Sequence, residues 1–135
     1  MEKRTIKLLE KAKLLFGKQV DALVRQEEKV RELLVNVGKK INQAGQNQYV
    51  KRLIEPVSVF IRMVKSHLNG EHKLSGSTLG LIILGLVYFV SPIDIIPDFL
   101  GFFGFADDFS VILAIYAKVK EEVGDFLDWE RTQSK

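Results

Sequence analysis

Four carboxylates stand in one of the most apolar stretches of the chain, SPIDIIPDFLGFFGFADD at residues 91–108. An isolated carboxylate is costly to bury unless it is hydrogen-bonded, paired or protonated. Asp94 and Asp98 are four positions apart, and Asp107 and Asp108 follow after a glycine-containing turn. Their oxygens could therefore converge on Mg²⁺ or Ca²⁺, although the spacing matches no calcium-binding loop.

The same motif has structural explanations. The residue before a proline is pushed out of helical geometry, so Ser91-Pro92 should end a helix and Pro97 should interrupt the chain again. Aspartate is a preferred N-cap after such breaks. A second explanation is an ion pair with Arg62, Lys65 or Lys118. Caps and ion pairs are the leading interpretation, and a cation site or a proton-linked role is the alternative. The residues to test are Ser91, Pro92, Asp94, Pro97, Asp98, Asp107 and Asp108.

No other pattern points to catalysis. His67 and His72 are five residues apart across a loop without an evident third ligand, which argues against zinc. The sequence has no glycine-rich phosphate loop, no nucleophile elbow, no histidine placed to activate Ser91, and no cysteine. We expect a protein that is not an enzyme and has no cofactor, metal or small-molecule substrate.

Helical periodicity dominates the first half of the chain. Apolar residues recur at helical spacing from Ile6 to Ile41, and Gly17 leaves open either a break near it or one long helix. Residues 42–48 are predicted to form a connection. A second stripe follows from Val50 to Leu68, with a kink or a helix start expected near Pro56.

Asn69-Gly70 should end that helix, and Ser75, Ser77 or Thr78 could cap the next one. A final amphipathic helix is predicted from Phe109 to about Trp129, with Asp107 or Asp108 as its cap. No stretch alternates with period two. The predicted fold is all-α: a small helical bundle with a central hydrophobic helix and a Pro/Asp-turn helical hairpin.

The central helix, Leu79 to Val90, carries no charge. Its 12 residues span about 18 Å, short of the hydrocarbon thickness of about 30 Å. Extension to Phe99 gives 21 residues but brings in Asp94 and Asp98, which makes insertion marginal. A transmembrane helix, a re-entrant hairpin and a buried core helix all remain open. The spacing Gly76-x-x-x-Gly80 is assigned to capping or close packing rather than to dimerisation.

Charge is divided unevenly along the chain. Residues 1–74 hold 16 Lys/Arg and 8 Asp/Glu, whereas residues 75–135 hold 4 and 9, so the two parts carry +8 and −5. The basic part could attract anionic lipid or the acidic part of the same fold. Nucleic acid is not expected, because no aromatic stacking platform accompanies the lysines. Charges interrupt every early apolar run, so we expect no secretory signal and a location on the cytoplasmic side of the cell membrane.

The motif Ser91-Pro92-x-Asp94-x-Ile96-Pro97-Asp98, with its following glycine linker and the pair Asp107-Asp108, resembles the signature of the YkvA-like family, a bacterial domain of unknown function. The resemblance covers residues 57–117 and departs at Gly101, where the family typically has proline. It implies a small helical, membrane-associated protein and supplies no reaction, ligand or catalytic residue.

Two regions are predicted: a basic amphipathic helical region at residues 1–48 and a YkvA-like helical domain at residues 49–135. The leading hypothesis is a non-enzymatic, membrane-associated helical protein that contacts lipid, with a mainly structural motif. One alternative is a soluble helical adaptor that binds a protein partner, or a second copy of itself, through the Ile6–Ile41 stripe. The other is a divalent-cation or proton-linked carboxylate site.

Overall fold

The computed structural model describes residues 3–44, 48–90 and 110–133. These ranges contain helices and no strand, which confirms the predicted all-α bundle. In chain order the helices are α1 (Lys3–Leu23), α2 (Glu27–Ala44), α3 (Gln48–Leu68), α4 (Gly76–Val90), α5 (Ser110–Lys118) and α6 (Lys120–Gln133). The predicted Pro/Asp-turn hairpin lies outside the described residues.

The centre of the bundle is α4. This helix carries no charged residue, and every residue from Ile82 to Phe89 is buried. It packs against α1, α2, α3 and α5, so protein covers the stretch from Ile82 to Phe89 on all sides. A helix that is apolar all round needs such cover in water, because apolar surface is driven out of contact with solvent. The predicted central hydrophobic helix is therefore confirmed.

Within the described residues, no helix combines the length and the apolar character required to cross a bilayer. The helix α4 has 15 residues and ends at Val90, so the prediction of a transmembrane helix has no support there. The longer version of that segment, extended to Phe99, enters residues that the structure does not describe.

The apolar stripe of the first 41 residues forms two helices that pack inward. Gly17 lies inside α1, and the break comes later, at residues 24–26, so neither a break at Gly17 nor one continuous helix was the right prediction. The Gln26 N–H bonds to the Leu23 carbonyl (2.9 Å), which closes the turn. Glu27 and Glu28 then open α2, where negative charge stabilises the positive end of the helix dipole.

The turn between α3 and α4 follows local rules closely. Gly70 adopts a left-handed φ of 76°, and its N–H bonds to the His67 carbonyl (3.1 Å). The Glu71 N–H bonds to the Ser66 carbonyl (2.9 Å), which completes a Schellman motif. Ser75 caps α4, because its Oγ accepts the Thr78 N–H (3.2 Å). The predicted stop and one of the predicted caps are confirmed.

Two predicted features of the helices differ in detail. Pro56 lies well inside α3, which begins at Gln48, so the helix does not start near the proline. The single predicted C-terminal helix is divided into α5 and α6 at Val119. The interruption is slight, since the Val119 N–H still bonds to Ile115 (2.9 Å) and its carbonyl accepts the Val123 N–H (2.9 Å).

His67 ties the turn to α3 through its imidazole. Its Nδ1 accepts the Leu74 N–H (2.9 Å), which only the unprotonated nitrogen can do. Burial, and then the charge of Lys73, lower the pKa of His67 from its ordinary value of 6.5. Because the folded protein binds this proton less readily than the unfolded chain, the contribution to stability is complete above pH 6.5 and is lost as pH falls through the lowered folded pKa.

We therefore expect the free energy of unfolding to fall as the pH drops from about 6.5 through the lowered pKa of folded His67. In a His67→Gln variant the decline should be shallower, because the amide oxygen can accept the Leu74 N–H without titrating. Urea denaturation at a series of pH values measures both slopes. Parallel slopes for the two proteins would show that His67 is not the titrating group.

Candidate functional site

The predicted motif residues fall in residues 91–109, outside the part that the structure describes. Their roles as caps, ion-pair partners or cation ligands therefore stay predictions. This applies to Ser91, Pro92, Asp94, Pro97, Asp98, Asp107 and Asp108.

The acidic motif is flanked by two helices, α4 before it and α5 after it. The last residue of α4 is Val90 and the first of α5 is Ser110, and these two helices pack against each other. Their approach is close at Gly85, where an added Cβ would lie 3.1 Å from Ile115 Cδ1. A larger residue at that position would have to push the fully buried Ile115 side chain aside by a few tenths of an ångström. The acidic motif thus links two helices that are held together tightly.

Lys40 of α2 marks the end of α4. Its ammonium Nζ donates a hydrogen bond to the Phe89 carbonyl (2.5 Å) and lies 5.3 Å from the centre of the Phe89 ring. The last carbonyls of a helix lack intrahelical donors and carry partial negative charge, so a lysine there is both a cap and a favourable charge. The α2 helix therefore places a positive charge two residues before the acidic motif begins.

Arg62, one of the predicted ion-pair partners of the motif, has another carboxylate beside it. Its Nε and Nη2 donate to the two carboxylate oxygens of Glu130 in α6 (2.8 and 3.1 Å), and its Nη1 donates to Ser58 Oγ (2.8 Å). This two-point geometry is the strongest form of arginine–carboxylate pairing. Among the described residues, this ion pair joins α3 to α6. Lys65 and Lys118 are exposed and make no ion pair among the described residues.

The two histidines have structural surroundings. His67 accepts the backbone N–H described above, and the His72 ring packs against Phe126 and Trp129 of α6 (centroids 5.6 and 5.1 Å apart). Across the described ranges, no three His, Cys, Asp or Glu side chains are grouped so that they could hold a metal ion.

Two of the residues with the longest-range roles were missed by sequence reasoning. In the sequence, Lys40 is one of many basic residues of the first 74, and Glu130 has no feature that sets it apart from the other carboxylates. Their contacts join positions 49 and 68 residues apart in the chain. A local pattern contains no signal for such pairs.

The fold and the flanks of the motif define a class of protein: a helical bundle built on a buried, uncharged helix that leads into an acidic Pro/Asp segment. The family described as "Protein of unknown function (DUF1232)" matches residues 78–114, which run from the first turn of α4 to α5. The "Uncharacterized membrane protein YkvA" of Bacillus subtilis (strain 168) is 34% identical over 80 residues, 58% of this chain and 76% of that protein. No solved structure gives a significant match. The chain belongs to the YkvA-like family, as its motif predicted.

The Lys40 cap can be tested by replacing its charge with an apolar chain of similar length. We expect Lys40→Met to lower the free energy of unfolding by about 1–2 kcal/mol, the range for a hydrogen bond donated by a charged group. Lys39→Met, at an exposed neighbouring position in α2, is the matched control and should change stability by less than about 0.5 kcal/mol. Chemical denaturation measures both. Equal effects would mean that the cap does not stabilise α4.

Proposed function

We propose that this protein is a non-enzymatic, membrane-associated helical bundle that docks on the surface of an anionic bilayer and in which the acidic motif is mainly structural. The name of its Bacillus subtilis relative supports an association with membrane. Because α4 is covered by other helices, docking through an outer surface explains the association without exposing the core.

The observation that carries the proposal is the outer face of α1, which we define by Lys7, Lys11, Leu14 and Lys18. These positions follow one another at helical spacings of three and four, so they lie on one side of the helix. All four side chains are exposed, and Leu14 is 85% exposed. The opposite side of α1 is buried in the core through Leu9, Ala12, Phe16 and Val20.

This face has the composition of an interfacial helix. A single exposed leucine is ordinary on a protein surface. Three lysines accompany it, and each basic residue near an anionic leaflet contributes about 1 kcal/mol of attraction. The exposed carboxylates of Glu10 and Asp21, which lie beside this face, reduce that attraction but leave an excess of positive charge. A leucine among them can enter the headgroup region while the lysine chains extend to the phosphates.

The side of the membrane follows from the same charge. Anionic lipids give the cytoplasmic leaflet a negative surface potential. A basic outer face is therefore best accommodated on the cytoplasmic side, which is where we place the bundle.

The surface proposed for the adaptor alternative is buried inside the bundle. The stripe between Ile6 and Ile41 on which it relied contributes Phe16, Val20, Val30, Leu34 and Val37 to the buried core. Phe16 also packs edge-on against Tyr88 of α4 (centroids 6.0 Å apart). A partner could take that stripe only by displacing α4. The motif residues of the carboxylate alternative lie outside the described part.

Sedimentation with vesicles tests the docking face. The full chain should bind vesicles that contain phosphatidylglycerol more strongly than pure phosphatidylcholine vesicles, and added salt should weaken the binding. We expect Lys7→Glu/Lys18→Glu to reduce the partition coefficient by at least about tenfold, since reversing two charges removes more than about 2 kcal/mol of attraction. Leu14→Ser should reduce it further.

Matched controls come from α2, which has an exposed valine, Val35 (57%), and the exposed lysines Lys29 and Lys39. Val35→Ser and Lys29→Glu/Lys39→Glu make the same chemical changes on another helix. They should bind nearly as well as the unaltered protein. If the α2 variants lose as much binding as the α1 variants, only net charge matters and the outer face of α1 is not the docking site.

A further inference from the structure

A cleft of about 590 Å³ opens between three parts of the bundle that the docking proposal does not use. One wall is α1 near Gly17, the floor is formed by the first turns of α4, and the other wall is the junction of α5 and α6 near Val119. Its volume lies within the range of about 300–1,000 Å³ that is typical of small-molecule sites.

Three glycines border this cleft. A Cβ added at Gly17, Gly76 or Gly80 would meet no atom within 4 Å, so the space beside each is empty of protein. Gly85, further along α4, differs because an added Cβ there would press on Ile115. The spacing Gly76-x-x-x-Gly80 therefore does not produce the close helix packing offered as one explanation from the sequence. These two glycines border the cleft instead.

The chemistry of the lining is mixed. Leu81 of α4 provides partly exposed apolar surface, whereas the other apolar lining residues, Leu84 and Val20, are buried. The charged side chains come as two lysines and two carboxylates: Lys13, Lys118, Asp21 and Glu122. Within the described residues, no two of these four side chains form an ion pair with each other. Lys13 instead lies 3.7 Å from the carboxylate of Glu10, which does not line the cleft. The cleft thus offers both signs of charge beside an apolar surface.

We propose that this cleft binds one phospholipid molecule with a zwitterionic headgroup. The lysines complement a phosphate, the carboxylates complement an ammonium, and Leu81 covers the glycerol and the first methylenes of an acyl chain. A purely anionic headgroup would leave the two carboxylates opposed to it. Binding here is separate from surface docking, because it is saturable, needs no bilayer and does not involve the outer face of α1.

The test is an NMR amide titration of the full chain with dihexanoyl phosphatidylethanolamine below its micelle concentration. Saturable shifts should centre on Gly17, Gly80 and Lys118. Gly80→Leu places an apolar side chain in the cleft at a position where an added Cβ meets nothing within 4 Å, and it should weaken binding by about tenfold, roughly 1.4 kcal/mol. The matched control is Gly38→Leu in α2, where an added Cβ also meets nothing within 4 Å and which lies away from the cleft. It should bind normally.

Charge variants identify the headgroup. Lys118→Met and Glu122→Gln should each weaken binding of dihexanoyl phosphatidylethanolamine. The unaltered protein should bind dihexanoyl phosphatidylglycerol more weakly than dihexanoyl phosphatidylethanolamine. Stronger binding of phosphatidylglycerol, or stronger binding after Glu122→Gln, would overturn the zwitterionic assignment. Non-saturable shifts, or normal binding by a folded Gly80→Leu variant, would overturn the cleft itself. If the vesicle experiments contradicted docking through the outer face of α1, the results of this titration would be unaffected.

Discussion

The burial of one uncharged helix is the constraint on which the rest of this fold depends. From Ile82 to Phe89, α4 presents side chains that must be removed from water in every direction. Four helices are used to cover it, and the α3–α4 turn and the Ser75 cap fix where it begins. Lys40 then bonds to its last turn, so both ends of a wholly apolar element are held by polar groups.

Covering α4 determines what the basic helices can do. The apolar stripes of α1 and α2 are used for packing, which leaves their outer faces for other contacts. On α1 that outer face combines lysines with an exposed leucine, whereas the contact at the core is made by residues such as Phe16. The charge difference between the two parts of the chain supports attraction within the bundle, as between Arg62 and Glu130, and it is also the basis of the proposed docking on lipid.

Much of the fold could be predicted because its signals are local. The uncharged run of α4, the Asn69-Gly70 stop and the Ser75 cap each depend on a few adjacent residues. The break at residues 24–26 was missed because Gly17 is the more obvious helix breaker, yet α1 tolerates it. The contacts of Lys40 with Phe89 and of Arg62 with Glu130 depend on how distant helices meet, which no local pattern contains. For the candidate site, the sequence predicted the acidic motif, and that motif lies outside the described residues.

Amide hydrogen exchange of the full chain, in buffer without detergent and then with anionic vesicles, tests the central claim most directly. If α4 is the protein-covered core, its amides between Ile82 and Phe89 should exchange most slowly in both conditions. Vesicles should change exchange chiefly in α1. Rapid exchange of α4 in buffer, with protection gained only when vesicles are added, would mean that lipid rather than protein covers this helix, and it would contradict the account.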